Sequence, residues 1–188
     1  MDLRVERTRK SIHNAFIQLR SKKPLEKISV KELSELAYIN KATFYSHYKD
    51  IYDLSDNLED ELIASIIKTM PNPENIISDS ANMAAFLTTA FTSHKALLYT
   101  IFSDSRSGIL VKKLDTALKK LIYEYHPQYK DNLEMDIVFT IMIQGGFYAS
   151  ISHPDADVEE LSRIIGKVNK CLSTHYSLSS QDFQGINS

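Results

Sequence analysis

The sequence predicts an all-α fold with a small N-terminal three-helix head, a larger helical body and about nine helices in total. Glycine and proline are scarce, with five residues of each among 188. Apolar residues recur at three- and four-residue spacing along nearly the whole chain, and no segment alternates convincingly over several strands. A chain of this length can also bury a sizeable core.

The first helix is predicted from about Leu3 to Ser21, because Lys23-Pro24 follows it. Its buried face is predicted from apolar residues at helical spacing, namely Ile12, Ala15, Phe16 and Leu19. Four basic residues fall outside that face and are either solvated or close to a polyanionic partner: Arg4, Arg7, Arg9 and Lys10.

A second, short helix is predicted through Ala37. Ser29 and Glu32 form a capping box, in which the Ser29 hydroxyl accepts from the Glu32 amide and the Glu32 carboxylate reaches back. Leu33 and Leu36 then follow at the spacing of one buried face. This helix ends at a tight turn formed by residues 38–40.

A third helix is predicted from Lys41 to about Tyr48, with Asn40 as its N-cap. Phe44 is expected to face the core, and Tyr48 is expected to be a second anchor. The outer side then carries Lys41, Thr43, Tyr45, Ser46 and His47. Two short helices joined by a tight turn predict a helix-turn-helix, whose second helix fits the DNA major groove.

Charge is distributed unevenly along the chain. Residues 1–50 contain eleven Lys/Arg and six Asp/Glu, a formal net charge of +5, whereas the remainder has eleven basic and eighteen acidic residues, a net of −7. Basic charge confined to one end indicates a polyanionic partner there. A chance asymmetry of a solvated surface is the alternative, and the helix-turn-helix in the same segment argues against it.

A long fourth helix is predicted over residues 50–70, with Leu54, Leu58, Leu62 and Ile66 repeating every fourth residue. Pro71-Asn-Pro73 ends this helix. We therefore predict a DNA-binding domain over 1–50 and a body over 51–176, for which residues 50–70 are the linking helix. Further helices are predicted over 80–94, 95–102, 107–126, 131–152 and 158–176, followed by a flexible tail over 177–188.

The last two predicted helices suggest self-association. Residues 137–151 are apolar on nearly every side, so this helix has to be covered on more than one face. The final helix carries a heptad-like apolar seam. A homodimer is favoured over a monomer in which both helices pack only internally. The predicted interface is Ile141, Gly145, Gly146, Tyr148, Val158, Leu161, Ile165, Val168 and Leu172.

Several classes of protein are disfavoured. The one cysteine, Cys171, forms no internal disulfide, which favours a reducing cytoplasm, and we expect it to be a small buried residue. The charged N-terminus does not look like a signal peptide. The most apolar stretch, 137–151, is interrupted by Gln144 and two glycines, so a buried helix is predicted and no membrane partner. No metal-ligand spacing, phosphate-binding glycine loop or nucleophile elbow is present, so neither an enzyme nor a cofactor is predicted.

Residues 8–58 resemble the DNA-binding part of the TetR family of bacterial transcriptional regulators. The resemblance rests on the capped helix ISVKELSELA, a short turn, and KATFYSHYKDIYDL leading into a long helix. The motif Thr-Phe-Tyr-x-His-Tyr, preceded by Lys-Ala, is distinctive at this position. Beyond it the chain is similar only in layout, with its last two helices placed where the family dimerises.

The resemblance implies roles for individual residues. Lys31 matches a position that contacts phosphate or a base. Tyr45 matches a tyrosine that reaches the DNA backbone and base methyl groups, and His47 matches a histidine that contacts the backbone. The residues that match the opening of the recognition helix are Asn40, Lys41, Ala42 and Thr43.

Two positions depart from the family pattern. The family usually has glycine in the turn, where this chain has Tyr38, so the turn has to accommodate a side chain. The family also places a phosphate-binding lysine at the start of the fourth helix, where Ile51 stands here. We hypothesise that Lys49 takes over that contact.

The resemblance implies a ligand-responsive repressor that binds a palindromic DNA operator as a homodimer. The alternative is a TetR-like protein-interaction module without selective DNA binding. An apolar or aromatic effector is expected in the body, although aromatic residues at helical spacing are often plain core. The candidate pocket residues are Phe86, Tyr99, Phe102, Tyr123, Phe139, Phe147 and Tyr148.

Overall fold

The computed structural model describes residues 3–177, and in that range the chain is helical without a β-strand. This confirms the all-α prediction. The described chain contains eight α-helices: α1 Leu3–Arg20, α2 Val30–Leu36, α3 Lys41–His47, α4 Ile51–Lys68, α5 Ser80–Ile101, α6 Ile109–Tyr125, α7 Leu133–Ser152 and α8 Val158–Ser177. Short 3-10 helices lie at Leu25–Lys27, Pro73–Asn75, Asp104–Arg106 and Pro127–Tyr129. The predicted flexible tail lies, from residue 178 onward, outside the described residues.

One predicted helix boundary is wrong. The segments 80–94 and 95–102 were expected to be separate helices, and the structure joins them in the single helix α5. The polar residues Ser93, His94 and Lys95 suggest a break locally, but none of them is a glycine or proline, which would interrupt a helix. The described chain therefore has one α-helix fewer than expected.

The chain divides into two compact units. Unit 1 comprises Met1–Ser65 and His94–Leu110, and unit 2 comprises Ile66–Ser93 and Val111–Ser188. The predicted head, residues 1–50, falls wholly within unit 1. That unit also takes in most of α4 and a segment from the middle of the chain, so it is not continuous in sequence.

The core of unit 1 forms where α1 packs on α2, and α2 on α3. The four apolar residues predicted for the buried face of α1 are all buried. Phe16, Leu33, Phe44 and Leu54 have no exposed surface, so each of the first four helices contributes a fully buried side chain. Burying a large apolar side chain contributes about 1.5–3 kcal/mol, which explains how such short helices are held.

A buried arginine ties the end of α1 to residues 101–104. Arg20 is only 3% exposed. Its guanidinium donates to the carbonyl oxygens of Lys23 at 3.1 Å and Ser103 at 3.3 Å, and it lies 3.4 Å from the Asp104 carboxylate. The guanidinium also donates to the Ile101 carbonyl at 3.4 Å. Most of the donors of a buried charge are thus satisfied within unit 1.

A second arginine joins the same turn to α4. Arg106 Nε donates to Glu59 Oε1 at 2.7 Å, and the guanidinium also pairs with Asp56. Glu59 is completely buried and accepts from the Ser55 hydroxyl at 2.9 Å. The hydrogen bonds to Glu59 raise the pKa of Arg106 above its ordinary value, which favours the charged guanidinium.

Unit 2 has its own apolar core. Helix α6 contributes Leu114, Leu118 and Ile122, and α7 contributes Met135 and Phe139. The remaining buried members of this cluster are Met70, Ile76 and Ile77. Apolar residues four apart on α6 place one continuous stripe against the first turns of α7, which fixes how these two helices pack.

Helix α8 packs on α7 and also approaches the start of α5 closely. A Cβ built on Gly166 would lie 2.6 Å from the Ala81 Cα, so only glycine fits between these two helices. A Cβ on Gly146 would lie 3.3 Å from an Ile165 methyl group. By contrast, nothing lies within 4 Å of a Cβ placed on Gly145, which faces open space.

Helix α7 is less covered than the sequence led us to expect. Among the described residues, α7 is the one helix that is long enough and apolar enough to cross a membrane, judged by length and composition alone. Only 17% of that stretch is buried. The expectation that Cys171 is buried is wrong, because it is exposed on α8. Exposed apolar residues of α7 and α8 include Ile137, Ile141, Tyr148, Ile164 and Val168.

Candidate nucleic-acid interface

The helix-turn-helix is formed by α2, the turn over residues 37–40 and α3. The Ser29 hydroxyl accepts from the Glu32 amide at 3.2 Å, as predicted, while the Glu32 carboxylate pairs with Lys23. The Asn40 side chain accepts from the Thr43 amide at 2.7 Å and from the Thr43 hydroxyl at 3.0 Å. Each helix therefore begins at a side-chain cap that the sequence supplies locally.

The turn has a left-handed residue that is not glycine. Tyr38 has φ 55°, in the region that side chains with a Cβ rarely adopt. Its amide donates to the Glu35 carbonyl at 3.3 Å, and the Ile39 amide donates to the Ser34 carbonyl at 3.0 Å. These two bonds form a Schellman motif with Tyr38 in the position that usually holds glycine. The turn therefore accommodates the Tyr38 side chain in a left-handed backbone conformation.

Helix α3 is anchored by two aromatic residues. Phe44 is fully buried, and Tyr48, which follows the last residue of α3, is buried as well. The Tyr48 hydroxyl lies 2.8 Å from His13 Nε2 of α1. Burial lowers the pKa of His13, and the positive charge of Arg9 lowers it further, while burial raises the pKa of Tyr48. Both shifts favour the neutral forms of the two groups. Helix α3 is thus anchored by the buried Phe44 ring and by the contact between Tyr48 and His13.

The other side of α3 is open to solvent. Lys41, Ala42, Tyr45 and Ser46 are exposed, and Thr43 and His47 are half-buried. Lys31 is exposed at the start of α2. The structure thus brings the predicted DNA-binding residues of α3 together on one short helix.

Two basic candidates differ in their surroundings. Lys49 is exposed after α3, and its amide donates to the Asp53 carboxylate at 2.9 Å, which leaves its ammonium group outside that capping interaction. Arg9 on α1 is engaged with Glu61 of α4, and hydrogen bonding to this carboxylate raises the pKa of Arg9. Arg9 thus has a structural partner within unit 1, whereas Arg7 and Lys10 of the same helix are exposed.

The fold matches a solved structure. A TetR transcriptional regulator from Rhodococcus sp. RHA1 superposes with a TM-score of 0.53, over 90% of this chain and 97% of that chain. This chain has a TetR-like fold. The sequence identity is 15%, so the likeness is one of fold. No protein-family profile matches the sequence, and no curated protein matches it.

The aromatic residues considered for an effector pocket are divided between the two units of the TetR-like fold. Phe86, Tyr123 and Phe147 are partly buried against the core of unit 2, and Phe139 belongs to that core. Tyr148, also in unit 2, is half exposed. The two residues that fall in unit 1 are Tyr99, which is exposed, and Phe102, which is buried.

A polar cluster borders the core of unit 2. Lys119 Nζ lies 2.7 Å from Asp136 Oδ1 and 2.7 Å from the Thr140 hydroxyl, and the Tyr123 hydroxyl donates to Asp136 at 2.9 Å. Burial, reinforced by the bond to Asp136, raises the pKa of Tyr123 to about 12. Hydrogen bonding to Lys119 lowers the pKa of Asp136. This cluster was not predicted from the sequence, although Asp115, Lys119 and Tyr123 recur at four-residue spacing on α6.

The residues predicted for a dimer interface differ in exposure within this TetR-like fold. Ile141 and Val168 are 53% and 55% exposed, and Tyr148 and Val158 are also exposed. Leu161 and Leu172 are half-buried. Ile165 is only 8% exposed, and it lies against Gly146 of the same chain. Within residues 3–177, no group of three or more His, Cys, Asp or Glu side chains is arranged to hold a metal ion.

Proposed function

We propose that this protein is a DNA-binding transcriptional regulator that acts as a homodimer on a palindromic operator. The observation that carries the proposal is helix α3, which is capped by Asn40, anchored by Phe44 and exposed along the opposite side. A short helix held in this way, on a unit whose first 50 residues have a net charge of +5, suits insertion into the major groove. The TetR-like fold supports the same function.

In the proposed complex, the first turns of α3 approach the base edges. Lys41, Thr43 and Tyr45 are the candidates for contacts to bases or to phosphates flanking them. Lys31 and Lys49 are candidates for phosphate contacts, because both are exposed lysines at the ends of this helix-turn-helix. Each phosphate that is neutralised should contribute about 0.9 to the slope of log affinity against log salt concentration.

The proposed dimer uses the exposed apolar side of α7 and α8. An isolated chain leaves Ile137, Ile141, Ile164 and Val168 in water, and burying them against a second copy would recover about 25 cal/mol for each Å² of apolar surface. Gly145 faces open space and would permit close helix approach. Ile165 lies inside the protomer, so we place it beneath this surface.

A dimer of this kind suits a palindromic operator. Two-fold symmetry would present two α3 helices to half-sites about 34–36 Å apart on one face of DNA. Substitution of Val168 by Asp should make the protein monomeric and weaken its binding to the full operator, while a half-site is bound as before. Tyr125→Asp, at an exposed aromatic residue of unit 2, is the matched control. Sedimentation velocity measures the oligomeric state.

We further propose that the regulator is a repressor whose effector is small and apolar or aromatic. The support comes from unit 2, where Phe86 and Phe147 are partly buried against the core and the cluster of Lys119, Tyr123 and Asp136 supplies polar groups beside it. Binding sites for small molecules commonly combine an apolar lining with a few fixed polar groups. The proposal implies a cytoplasmic protein without enzymatic activity.

The experiment that tests the proposed function is selection of duplexes from a random DNA library. Tyr45→Ala serves as the paired variant, because Tyr45 is an exposed side chain of α3. Enrichment of an inverted repeat by the wild type, lost in the variant, is expected. If a dimeric protein enriches no sequence at low salt, the proposal is overturned in favour of a protein-interaction module.

A further inference from the structure

Tyr38 has an unfavourable backbone conformation, and its side chain makes no stabilising contact within residues 3–177 that would compensate for it. Tyr38 occupies the left-handed position of the Schellman motif, where glycine is the residue that fits without strain. Its side chain is 94% exposed. In the described part of the chain, no hydrogen bond or ring contact involves that side chain. Neither core packing nor an internal contact therefore offsets the strained backbone.

Residues other than glycine that are held in strained backbone conformations are concentrated at functional sites. Asn40, the cap of α3, is only two residues away, so the two Cα atoms are at most about 7.6 Å apart. Lys41, which opens α3, is exposed beside them. Tyr38 therefore lies next to the end of α3 that enters the groove in the proposed complex.

We propose that Tyr38 is a DNA-positioning residue, whose hydroxyl donates a hydrogen bond to a backbone phosphate beside the groove that receives α3. This inference rests on the proposed function. The positive charge of residues 1–50 favours a polyanionic partner at this surface. Tyrosine is among the side chains that contact phosphate oxygens, and such contacts fix register without reading sequence.

Two substitutions separate this role from a structural one. Tyr38→Phe removes only the hydroxyl and should weaken binding about tenfold for each half-site, and so about a hundredfold for the selected operator, because each half-site loses a hydrogen bond to a charged group. Tyr38→Gly should weaken binding further. The same glycine relieves the backbone strain, so its thermal unfolding midpoint should rise by a few degrees. A loss of affinity together with a gain in stability is not expected of a residue that only shapes the fold.

Two further readouts identify the contact as one to phosphate. The sequence selected from the random library should be the same for Tyr38→Phe and the wild type. The salt dependence should also be unchanged, because a neutral hydroxyl displaces no counterion, whereas Lys41→Ala should lower the slope. Tyr125→Phe, at an exposed tyrosine of unit 2, is the matched control and should bind as the wild type does.

The outcomes separate this inference from the proposed function. If the wild type selects an operator and both Tyr38 variants bind it as tightly, the inference is overturned and the proposed function stands. A changed operator sequence in Tyr38→Phe overturns the phosphate assignment. If the wild type selects no duplex, the proposed function itself fails. If Tyr38→Gly is less stable than the wild type, the affinity of Tyr38→Phe for the operator decides the inference. Binding as tight as that of the wild type then overturns it.

Discussion

Arg106 and Glu59 form an ion pair inside unit 1, with Arg106 Nε donating to Glu59 Oε1 at 2.7 Å and the Glu59 side chain completely buried. The two residues are 47 positions apart in sequence. A buried carboxylate requires a partner, because moving it out of water without one is strongly unfavourable. The pair therefore fixes the 104–106 turn against α4.

Replacing Arg106 by Ala should lower the free energy of unfolding by about 3–5 kcal/mol, because the buried carboxylate loses its guanidinium partner. Replacing Glu59 and Arg106 together by Met should be less destabilising than the single change. Arg163→Ala is the control, since its 3.9 Å pair with Glu160 is exposed and contributes little. Chemical denaturation measures all three. Equal stability of Arg106→Ala and wild type would contradict a structural role for the pair.

Stability should fall as the pH drops below about 6.5, the ordinary pKa of histidine, because the folded protein binds a proton at His13 less readily than the unfolded chain does. Burial lowers the pKa of His13, so the full stability contribution is present above 6.5 and is lost as the pH falls through the folded-state pKa. The charged and titratable groups around it are Tyr48, Arg9 and Glu61.

His13→Gln should remove this component of the pH dependence. The measurement is the free energy of unfolding of both proteins between about pH 5 and about pH 8. Parallel curves for the variant and the wild type would show that His13 does not titrate in this way.

Phe44 and Tyr45 are neighbours in sequence, and their substitutions should have opposite consequences. Phe44→Ala should destabilise unit 1 by about 3–5 kcal/mol, because it removes a fully buried ring. Tyr45→Ala should change stability by less than about 0.5 kcal/mol, since its ring is largely exposed, and should weaken DNA binding. Thermal unfolding and DNA titration are measured on both variants. A severe loss of stability in Tyr45→Ala would place this residue among the anchors.

Two glycines of unit 2 make a matched pair. Gly166→Ala should destabilise the protein by about 1–3 kcal/mol, because the added Cβ would approach the Ala81 backbone within 2.6 Å. Gly145→Ala should stabilise an isolated chain by up to about 1 kcal/mol, because helix propensity improves where there is open space. In the proposed dimer, Gly145→Ala should instead weaken association, which the concentration dependence of unfolding would reveal. A gain in stability at every protein concentration would count against close packing of two copies at Gly145.

Local signals predicted much of the fold. The caps at Ser29 and Asn40 are formed by residues three positions from the amides they bond, so the starts of α2 and α3 could be read directly from the sequence. The buried and exposed sides of α3 followed from helical periodicity for the same reason. Tyr38 was identified as a departure from a glycine position, and the structure gives it the positive φ that such a position requires.

Long-range pairing could not be predicted in the same way. Arg20 contacts Ser103, 83 residues away, and nothing near either residue specifies the partner. The sequence gives only an indirect indication that Arg20 and Glu59 are buried, because each of these charged residues follows an apolar residue on a buried helix face. Cys171 was assigned to the interior because of its residue type, but its position on α8, three residues after the exposed Val168, places it in solvent.

Unit 1 consists of two segments that are not continuous in sequence, and this restricts which fragments of the protein can be fused to another protein. A fragment ending within α4 would carry Arg20 and Glu59 without the Ser103 carbonyl and the Arg106 guanidinium that satisfy them. Residues 1–65 would then expose buried charged groups and lose an edge of their core. Transplanting this recognition module onto another protein therefore requires residues 94–110 as well. Gene fusions that join at a single point after the helix-turn-helix would separate two parts of one compact unit.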